Sequence, residues 1–252
     1  MALSHSPIIE LDSIDSTNNY AMQLVDANKA FPGLTITAKS QTGGKGQRGK
    51  TWIDAPGQSL LMSIVTAPAL TINEQFRFNA CVAVAVANVL QKLYENWKIH
   101  IKWPNDIIIN DKKAAGLLIE NVLRGSFWAH SIIGIGLNVM QDNFPPDLPF
   151  ATSLKIASGY DFDIARLRDD IRENILAATQ NPLPPNAMEM YNAYLYKRGR
   201  MQGFSDATGS WVATISGVHN NGTIELQKED GAIAFYHHGQ VVWEWEFSNE
   251  KK

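Results

Sequence analysis

The chain has 252 residues, of which 45% are hydrophobic and 19% charged, and its formal net charge at pH 7 is −3. This is the composition of an ordinary globular protein with a sizeable core, in one large domain or in a main domain with a small appendage. The weak negative charge provides no overall field that would attract nucleic acid or a membrane. The single cysteine, Cys81, excludes an internal disulfide framework and suits a reducing compartment. Since residues 1–15 lack a secretory pattern and no apolar run approaches roughly 20 residues, we expect a cytoplasmic protein.

The first two hundred residues alternate between strand and helix patterns. Strands are predicted at residues 7–11, 33–38, 59–67, 99–103, 107–109, 114–120 and 131–140. Helices are predicted after Ser16 and at residues 73–94, 164–179 and 187–198, whereas the Pro-rich residues 141–154 are predicted to be irregular. Successive strands joined by short turns predict an α+β fold, in which a mixed sheet carries helices on one face.

A different pattern begins at residue 201. Short strands are predicted at residues 211–218, 223–229, 232–236 and 240–247, separated by the turn sequences H-N-N-G, D-G and H-H-G. This predicts a small all-β domain over residues 201–252, after a main domain of residues 1–200. Closure into an SH3-like barrel would protect its edge strands.

One stretch between two predicted strands concentrates glycine and positive charge. Residues 39–50 contain four basic side chains, four glycines and no acid. Glycines bring backbone N–H groups close to a ligand and basic side chains add charged donors, so this stretch predicts a phosphate-binding loop. A solvated, flexible surface loop can have the same composition. The spacing of Gly44, Gly46 and Gly49 matches a dinucleotide fingerprint, but the following T-W-I-D-A-P-G does not open a helix, and no P-loop is present.

Five motifs resemble those of biotin protein ligases, in the same order and at similar intervals. They are D-S-T-N at residues 15–18, Q-T-G-G-K-G-Q-R-G-K-T-W at 41–52, K-W-P-N-D at 102–106, K-A-A-G at 113–116 and G-I-G-L-N-V at 134–139. The resemblance covers nearly the whole chain and is to the short bacterial form, because too few residues precede D-S-T-N for a helix-turn-helix domain. It implies a class II synthetase-like ligase domain that forms biotinyl-AMP from biotin and ATP. The biotin is then transferred to a lysine of a biotin carboxyl carrier protein.

The same resemblance implies roles for individual residues. Lys113 and Arg48 are the expected catalytic residues, with Lys113 between the biotin carboxylate and the α-phosphate. The expected biotin-binding residues are Ser16, Thr17, Asn18, Gln41, Gly44, Lys45, Gly46, Gln47, Lys113, Gly116, Gly134 and Gly136. The expected ATP-binding residues are Lys45, Arg48, Lys50, Trp52, Lys102, Asn105, Asp106 and Asn138. Mg²⁺ would be held through phosphates, and Asp106 would orient either Lys113 or a metal-bound water.

Several of these residues also have an ordinary structural interpretation. Ser16 could simply cap a helix, Lys113 could be a solvated hairpin lysine, and Trp52 could belong to the core. Two residues depart from the family's common loop sequence G-R-G-R-R-G-R. Lys45 keeps the charge but not the bidentate fork of arginine, and Gln47 loses the charge. Because Gln47 lacks the charge, we expect this protein to retain biotinyl-AMP less tightly than relatives that have arginine at the position of Gln47.

Three functions remain distinguishable by experiment. The leading interpretation is a biotin protein ligase, and the alternatives are a lipoate ligase and a non-catalytic biotin-binding module. The expected partners are biotin, ATP and a biotin carboxyl carrier domain, without nucleic acid or membrane, and the protein could be a monomer or a homodimer. We expect the C-terminal domain to help close the nucleotide site or to dock the carrier.

Overall fold

A computed structural model of the chain describes residues 6–245, and its main feature is a seven-stranded mixed sheet. The strands are β1 (Ile8–Ile14), β2 (Thr35–Gln41), β3 (Ser59–Thr66), β4 (Ile99–Lys102), β5 (Asp106–Ile109), β6 (Lys112–Arg124) and β7 (Phe127–Asn138). They lie in the order β1-β2-β3-β7-β6-β5-β4, with β1 and β2 parallel and every other pair antiparallel. Each predicted strand is present. β6 and β7 are longer than predicted because they pair with each other as a long hairpin, from Ala115 and Leu137 to Arg124 and Phe127.

Five α-helices accompany this sheet within the described residues. They are α1 (Thr17–Asp26), α2 (Gln75–Leu93), α3 (Leu154–Ser158), α4 (Ile164–Ala178) and α5 (Ala187–Tyr194). The short helix α3 was not predicted, and Ser153 caps it by accepting a hydrogen bond from the Ile156 amide at 3.0 Å. The prediction that α5 continues to residue 198 is wrong. The chain leaves the helix because the Tyr196 amide donates to the Ile101 carbonyl at the edge of β4, at 2.9 Å.

The helices divide between the two faces of the sheet. Alternate residues of β3, such as Leu60 and Met62, pack in one hydrophobic cluster with α2, α4 and α5. Val65 belongs to a second cluster with Ala21 and Val25 of α1. Because neighbouring residues in a strand point to opposite faces, α1 lies on the face opposite α2, α4 and α5. The expected α+β class is confirmed. The expectation that all helices lie on one face is wrong, because α1 packs against the face opposite α2, α4 and α5.

The C-terminal residues form a second sheet of five strands. These are β8 (Met201–Asp206), β9 (Gly209–Val218), β10 (Ile224–Lys228), β11 (Ile233–Tyr236) and β12 (Val242–Trp243), in the order β11-β10-β9-β8-β12. β8 was not predicted. Within residues 6–245 the sheet is open, since β11 pairs only with β10 and β12 only with β8, so the expected closed barrel is not formed there. Residues 246 and 247 of the predicted last strand lie outside the described residues.

The two sheets share one hydrophobic cluster. Phe204 and Ile215 of the second sheet belong to the same cluster as Ile101 of β4 in the first sheet and Leu90 of α2. Cys81 also lies in this cluster, 3% exposed, where burial raises the pKa of its thiol to about 11. This fits a packing role rather than a nucleophilic one. None of the helices between residues 6 and 245 is long and apolar enough to cross a membrane.

Candidate active site

Cross-strand pairing places four predicted site residues in one row across the first sheet. Lys102 pairs with Asp106, Asp106 with Gly116, and Gly116 with Gly136. Directly opposite residues of antiparallel strands project to the same face. The row therefore lies on the face that carries α1, away from α2, α4 and α5. Residues from four strands separated in sequence meet here.

Lys113 is anchored beside this row by its side chain and by its backbone. Its Nζ atom lies 2.8 Å from Asp106 Oδ1, and its side chain is 35% exposed. Its amide donates to the Phe150 carbonyl at 2.6 Å, and the Thr152 amide donates to its carbonyl at 2.9 Å. Lys113 is therefore held in place rather than freely solvated at a hairpin tip. The contact also matches the alternative in which Asp106 orients Lys113.

A buried polar network joins α1 to β2, β3 and β6. Gln41 Oε1 accepts hydrogen bonds from the Thr17 amide at 2.8 Å and from the Thr17 hydroxyl at 3.1 Å. The Ser63 hydroxyl lies 2.7 Å from Thr17 Oγ1 and 2.6 Å from Asn18 Oδ1. Asn18 Nδ2 donates to Glu120 Oε2 at 2.7 Å. Sequence reasoning missed Ser63 and Glu120, whose only signal is a polar residue within a strand of apolar ones.

Ser16 directly precedes Thr17 of this network in the chain. It occupies the N-cap position of α1, but its side chain makes no capping hydrogen bond, and the residue is 2% exposed. The simple interpretation of Ser16 as a side-chain cap therefore has no support in the structure.

The glycines of β6 and β7 admit protein side chains very close to the backbone. A Cβ atom on Gly134 would lie 2.4 Å from Asn18 Oδ1, and one on Gly136 would lie 2.5 Å from Trp52 Cε2. On Gly116 it would lie 3.3 Å from Trp52 Cζ3. The Trp52 indole thus lies over the row, and its Nε1 atom is buried without a hydrogen-bond partner among the described residues. The space that these glycines leave is occupied here by Asn18 and Trp52.

The loop between β2 and β3 is a compact hairpin. Lys45 and Thr51 form an isolated bridge, the Gly46 amide donates to the Lys50 carbonyl at 2.6 Å, and the Trp52 amide donates to the Gly44 carbonyl at 2.9 Å. Lys45 and Lys50 are exposed on this hairpin. Its backbone carries Trp52 over the row while leaving both lysines available to an anion.

Arg48, at the tip of the hairpin, contacts the C-terminal sheet. It has a positive φ of 55°, and its Nη1 atom donates to the His238 carbonyl at 3.1 Å. A Cβ atom on Gly239 would overlap the Arg48 guanidinium, at 1.5 Å from Nη1. The His238 ring packs edge-on against Trp103, and burial, followed by the charge of Arg48, lowers the pKa of His238. The C-terminal sheet therefore forms one wall of the candidate site.

Two predicted ATP residues have protein partners. The Asn105 side chain donates to the Leu117 carbonyl at 2.5 Å, and the Leu117 amide donates to the Asn105 carbonyl at 3.1 Å. Asn138, 4% exposed, donates from its side chain to the Thr152 carbonyl at 3.1 Å. Both asparagines therefore tie neighbouring segments together at the edge of the site.

Gln47 is half-buried on the hairpin. Its Oε1 atom is buried and has no hydrogen-bond partner among residues 6–245. The residue lines a cavity of about 550 Å³ between the start of α2 and the C-terminal sheet. Phe76 and Asn105 lie in the same wall. No described residue in this wall is an acid or a lysine or arginine.

The described residues offer no ready-made metal site. Between residues 6 and 245, no group of three or more His, Cys, Asp or Glu side chains could hold a metal ion. Asp106 is the acid nearest the candidate catalytic lysine, and its carboxylate is already paired with Lys113.

Comparisons with known proteins agree on one family. Residues 10–138 match the model of the biotin/lipoate A/B protein ligase family. The chain is 29% identical over 240 residues to the bifunctional ligase/repressor BirA of Bacillus spizizenii, an alignment that covers 91% of this chain and 72% of that protein. It is 30% identical over 130 residues to the biotin–[acetyl-CoA-carboxylase] ligase of Paracoccus denitrificans, covering 50% of this chain and 51% of that one.

A solved structure shares the fold. The biotin protein ligase of Aquifex aeolicus in complex with biotin and ATP superimposes with a TM-score of 0.77 at 23% identity. The superposition covers 94% of this chain and 98% of that one, so it includes both sheets.

Proposed function

The chain belongs to the biotin/lipoate A/B protein ligase family, and from this premise we propose that it is a biotin protein ligase. It activates biotin with ATP to biotinyl-5′-AMP and transfers the biotin to a lysine of a biotin carboxyl carrier domain. The observation that carries this proposal is the Lys113–Asp106 pair, which lies beside the Gly116–Gly136 row. Relatives named as biotin ligases, aligned over much of the chain, support the choice of substrate.

The first step brings two anions together. The biotin carboxylate attacks the α-phosphorus, the bond from that phosphorus to the bridging oxygen breaks, and pyrophosphate leaves. Neutralising the negative charge that gathers at the α-phosphate is the main requirement. Lys113 supplies the positive charge that neutralises it, and Asp106 orients the Lys113 side chain. Arg48 and Lys50 bind phosphates from the hairpin, and a Mg²⁺ ion bound together with ATP would neutralise further negative charge.

The polar head of biotin is assigned to the buried network of α1 and β2. Ser16, Thr17 and Gln41 offer hydroxyl, amide and carbonyl groups that can exchange protein partners for the ureido group. Because these groups are already desolvated, a matching ligand restores hydrogen bonds at little cost and a mismatched one leaves them unpaired. Trp52 provides the aromatic surface between this pocket and the nucleotide.

In the second step the amine of the carrier lysine attacks the carbonyl of biotinyl-AMP. An amide bond forms, the mixed anhydride bond breaks, and AMP leaves. Water would hydrolyse the same bond, so the hairpin that carries Trp52 over the row also has to exclude water. A cytoplasmic location fits the single, buried cysteine.

The same family contains lipoate ligases, so lipoate is the alternative acid substrate. K-W-P-N-D and Trp52 favour biotin. A non-catalytic binding module is disfavoured by the ion-paired Lys113 and by the cations that surround the row.

Biotin-dependent ATP–pyrophosphate exchange tests the proposal, with lipoate as the alternative acid. We expect exchange with biotin, a loss of at least about 100-fold in Lys113→Ala, and none of this loss in Lys112→Ala, which changes the neighbouring exposed lysine. Exchange with lipoate alone would assign the chain to the lipoate ligases. Biotin binding without any exchange would make it a binding module.

A further inference from the structure

A chain of polar side chains runs across the sheet on the face that carries α1. Cross-strand pairing puts Ser63, Gly134 and Leu118 in one row over β3, β7 and β6. Asn18 lies over Gly134, in the space that a Cβ atom would fill. From there its Oδ1 atom reaches the Ser63 hydroxyl at 2.6 Å, and its Nδ2 atom reaches Glu120 Oε2 at 2.7 Å. Both polar atoms of the Asn18 side chain therefore have protein partners.

The hydrogen bonds at the Glu120 end can run in one direction only. The Glu120 carboxylate and the Leu118 carbonyl only accept, so the Asn18 atom that faces them, at 2.7 and 3.3 Å, is the amide nitrogen. Asn18 Oδ1 is then an acceptor, and it receives the single proton of the Ser63 hydroxyl. Ser63 Oγ has no further proton to give, so it accepts from the Thr17 hydroxyl, 2.7 Å away.

The other end of the network is fixed by a backbone group. The Thr17 amide only donates, so the Gln41 atom 2.8 Å from it is Oε1, and Nε2 lies on the other side of the Gln41 amide. A Cβ atom on Gly44 would lie 3.1 Å from this Nε2, which places Nε2 beside the hairpin. The Thr17 hydroxyl gives its proton either to Ser63 or, at 3.1 Å, to Gln41 Oε1. In both cases Thr17 Oγ1 offers a ligand lone pairs and no proton, whereas Gln41 Nε2 offers N–H donors.

We propose that Glu120, acting through Asn18 and Ser63, fixes this polarity and thereby selects a head group that has an N–H beside a C=O. A cyclic urea has this arrangement, with an N–H for the acceptor Thr17 Oγ1 and a carbonyl for the donor Gln41 Nε2. The dithiolane ring of lipoate has neither group. Glu120, Asn18 and Ser63 are positioning residues, since they act on the ligand through Thr17. The proposal rests on the function proposed above and adds what excludes other head groups.

The fixed direction determines which ligands are rejected. A head group that turns an acceptor toward Thr17 Oγ1 would leave two acceptors facing each other at a residue that is only 4% exposed. If the Asn18 amide turned over, Ser63 would donate to Thr17, and the Thr17 proton would become available to such a ligand. The Glu120 carboxylate prevents this, since a hydrogen bond to a charged acceptor is about twice as strong as a neutral one.

The test compares Ser63→Ala with the matched control Ser131→Ala in the full-length protein. Both serines are 0% exposed, and Ser131 likewise donates to an amide oxygen, Asn121 Oδ1 at 2.8 Å, while it accepts from Trp128 Nε1 at 2.9 Å. Each substitution leaves a buried amide oxygen without its donor, so both should lower the melting temperature by a similar amount. The probes are biotin and its two cyclic carbamate analogues, in each of which a ring oxygen replaces one N–H.

The measured quantity is the ratio of the affinity for biotin to the affinity for the carbamate that lacks the N–H at Thr17. We expect a ratio of at least about 100 in the wild type, because a buried acceptor is left unpaired. In Ser63→Ala, Thr17 loses its nearer acceptor and can donate to the ligand, so the ratio should fall about tenfold, with KM for ATP unchanged. Ser131→Ala should keep the wild-type ratio.

Two substitutions of Glu120 test the far end of the network. Glu120→Met removes the acceptor that holds the Asn18 amide and should also lower the ratio. Glu120→Gln can turn its amide oxygen toward Asn18 Nδ2, so it should restore most of the ratio. A lower melting temperature with an unchanged ratio in Ser63→Ala and Glu120→Met would make these residues purely structural and overturn the proposal. A fall that Ser131→Ala shares would overturn it too.

Titration calorimetry without ATP separates this proposal from the proposed function. The ratio can then be measured whether or not the protein forms biotinyl-AMP. Biotin binding without ATP–pyrophosphate exchange would contradict the ligase function, and the ratios would still decide the role of Glu120 and Ser63. Exchange with biotin together with equal ratios in all variants would support the ligase and overturn the positioning role. No binding of biotin by the wild type would overturn both.

Discussion

The missing Cβ atoms of Gly134 and Gly136 let two other side chains approach the sheet closely. Each position has its space filled by a side chain from another element, Asn18 of α1 and Trp52 of the hairpin. Both contacts are closer than a Cβ atom would allow. These glycines are therefore required for the contact between the sheet and the groups above it, whatever ligand binds there.

The substitution Gly134→Ala tests this requirement. The new methyl group would displace Asn18 and disturb its contacts with Ser63 and Glu120, so we expect a loss of about 1–3 kcal/mol in stability and weaker biotin binding. Gly43→Ala is the control, since its Cβ would be 3.5 Å from the nearest atom, and it should change stability by less than about 0.5 kcal/mol. Chemical denaturation measures both. Equal stability of the two variants would show that the Asn18 contact is unimportant.

Gln47 provides a second prediction about one residue. It brings no charge to a hairpin that carries Lys45, Arg48 and Lys50, and its Oε1 atom is buried without a partner in the described chain. We expect Gln47→Arg to slow the release of biotinyl-AMP, because an added cation attracts the phosphate of the adenylate. A chase experiment with preformed adenylate measures the rate. An unchanged rate would mean that charge at this position does not retain the intermediate.

Two elements far apart in the chain meet where the hairpin touches the C-terminal sheet. The His238 carbonyl accepts a hydrogen bond from Arg48, and the adjacent Gly239 has no Cβ atom to collide with the Arg48 guanidinium. Gly239 also has a φ of 90°, which side chains disfavour. The turn is therefore shaped to receive the arginine.

Gly239→Ala should displace Arg48, and Gly231→Ala separates this effect from backbone strain. Gly231 has a similar φ of 85°, but nothing lies within 4 Å of its Cβ position. Each variant should lose about 1 kcal/mol or more of stability from the left-handed conformation. Only Gly239→Ala should raise KM for ATP, by roughly tenfold. Exchange kinetics decide the matter: the same KM in both variants would mean that the turn does not position Arg48.

The hydrophobic core that the two sheets share predicts that they unfold together. Phe204 on β8 is fully buried in the cluster that also contains residues of α2 and β4. The division into residues 1–200 and 201–252 remains a prediction, although β8 begins at residue 201. Continuous burial favours a single cooperative transition.

Scanning calorimetry of Phe204→Ala tests the cooperativity. We expect one transition in the wild type, shifted as a whole in the variant by the loss of about 3–5 kcal/mol. Phe235 lies on the edge strand β11 and is 55% exposed, so Phe235→Ala should leave the transition temperature nearly unchanged. Two transitions, of which Phe204→Ala shifts only one, would show that the C-terminal sheet unfolds independently.

The sequence by itself determined the strands and helices of the first sheet and the motif residues, because hydrophobic periodicity and turn residues act locally. It did not reveal β8, whose pattern is weak, or the end of α5, where pairing with β4 overrides helical propensity. Only the tertiary structure placed Lys102 beneath Trp243 and Trp245 and brought Arg48 to His238. These contacts join residues more than a hundred positions apart. Packing of the two sheets creates them, and no local pattern in the sequence encodes that packing.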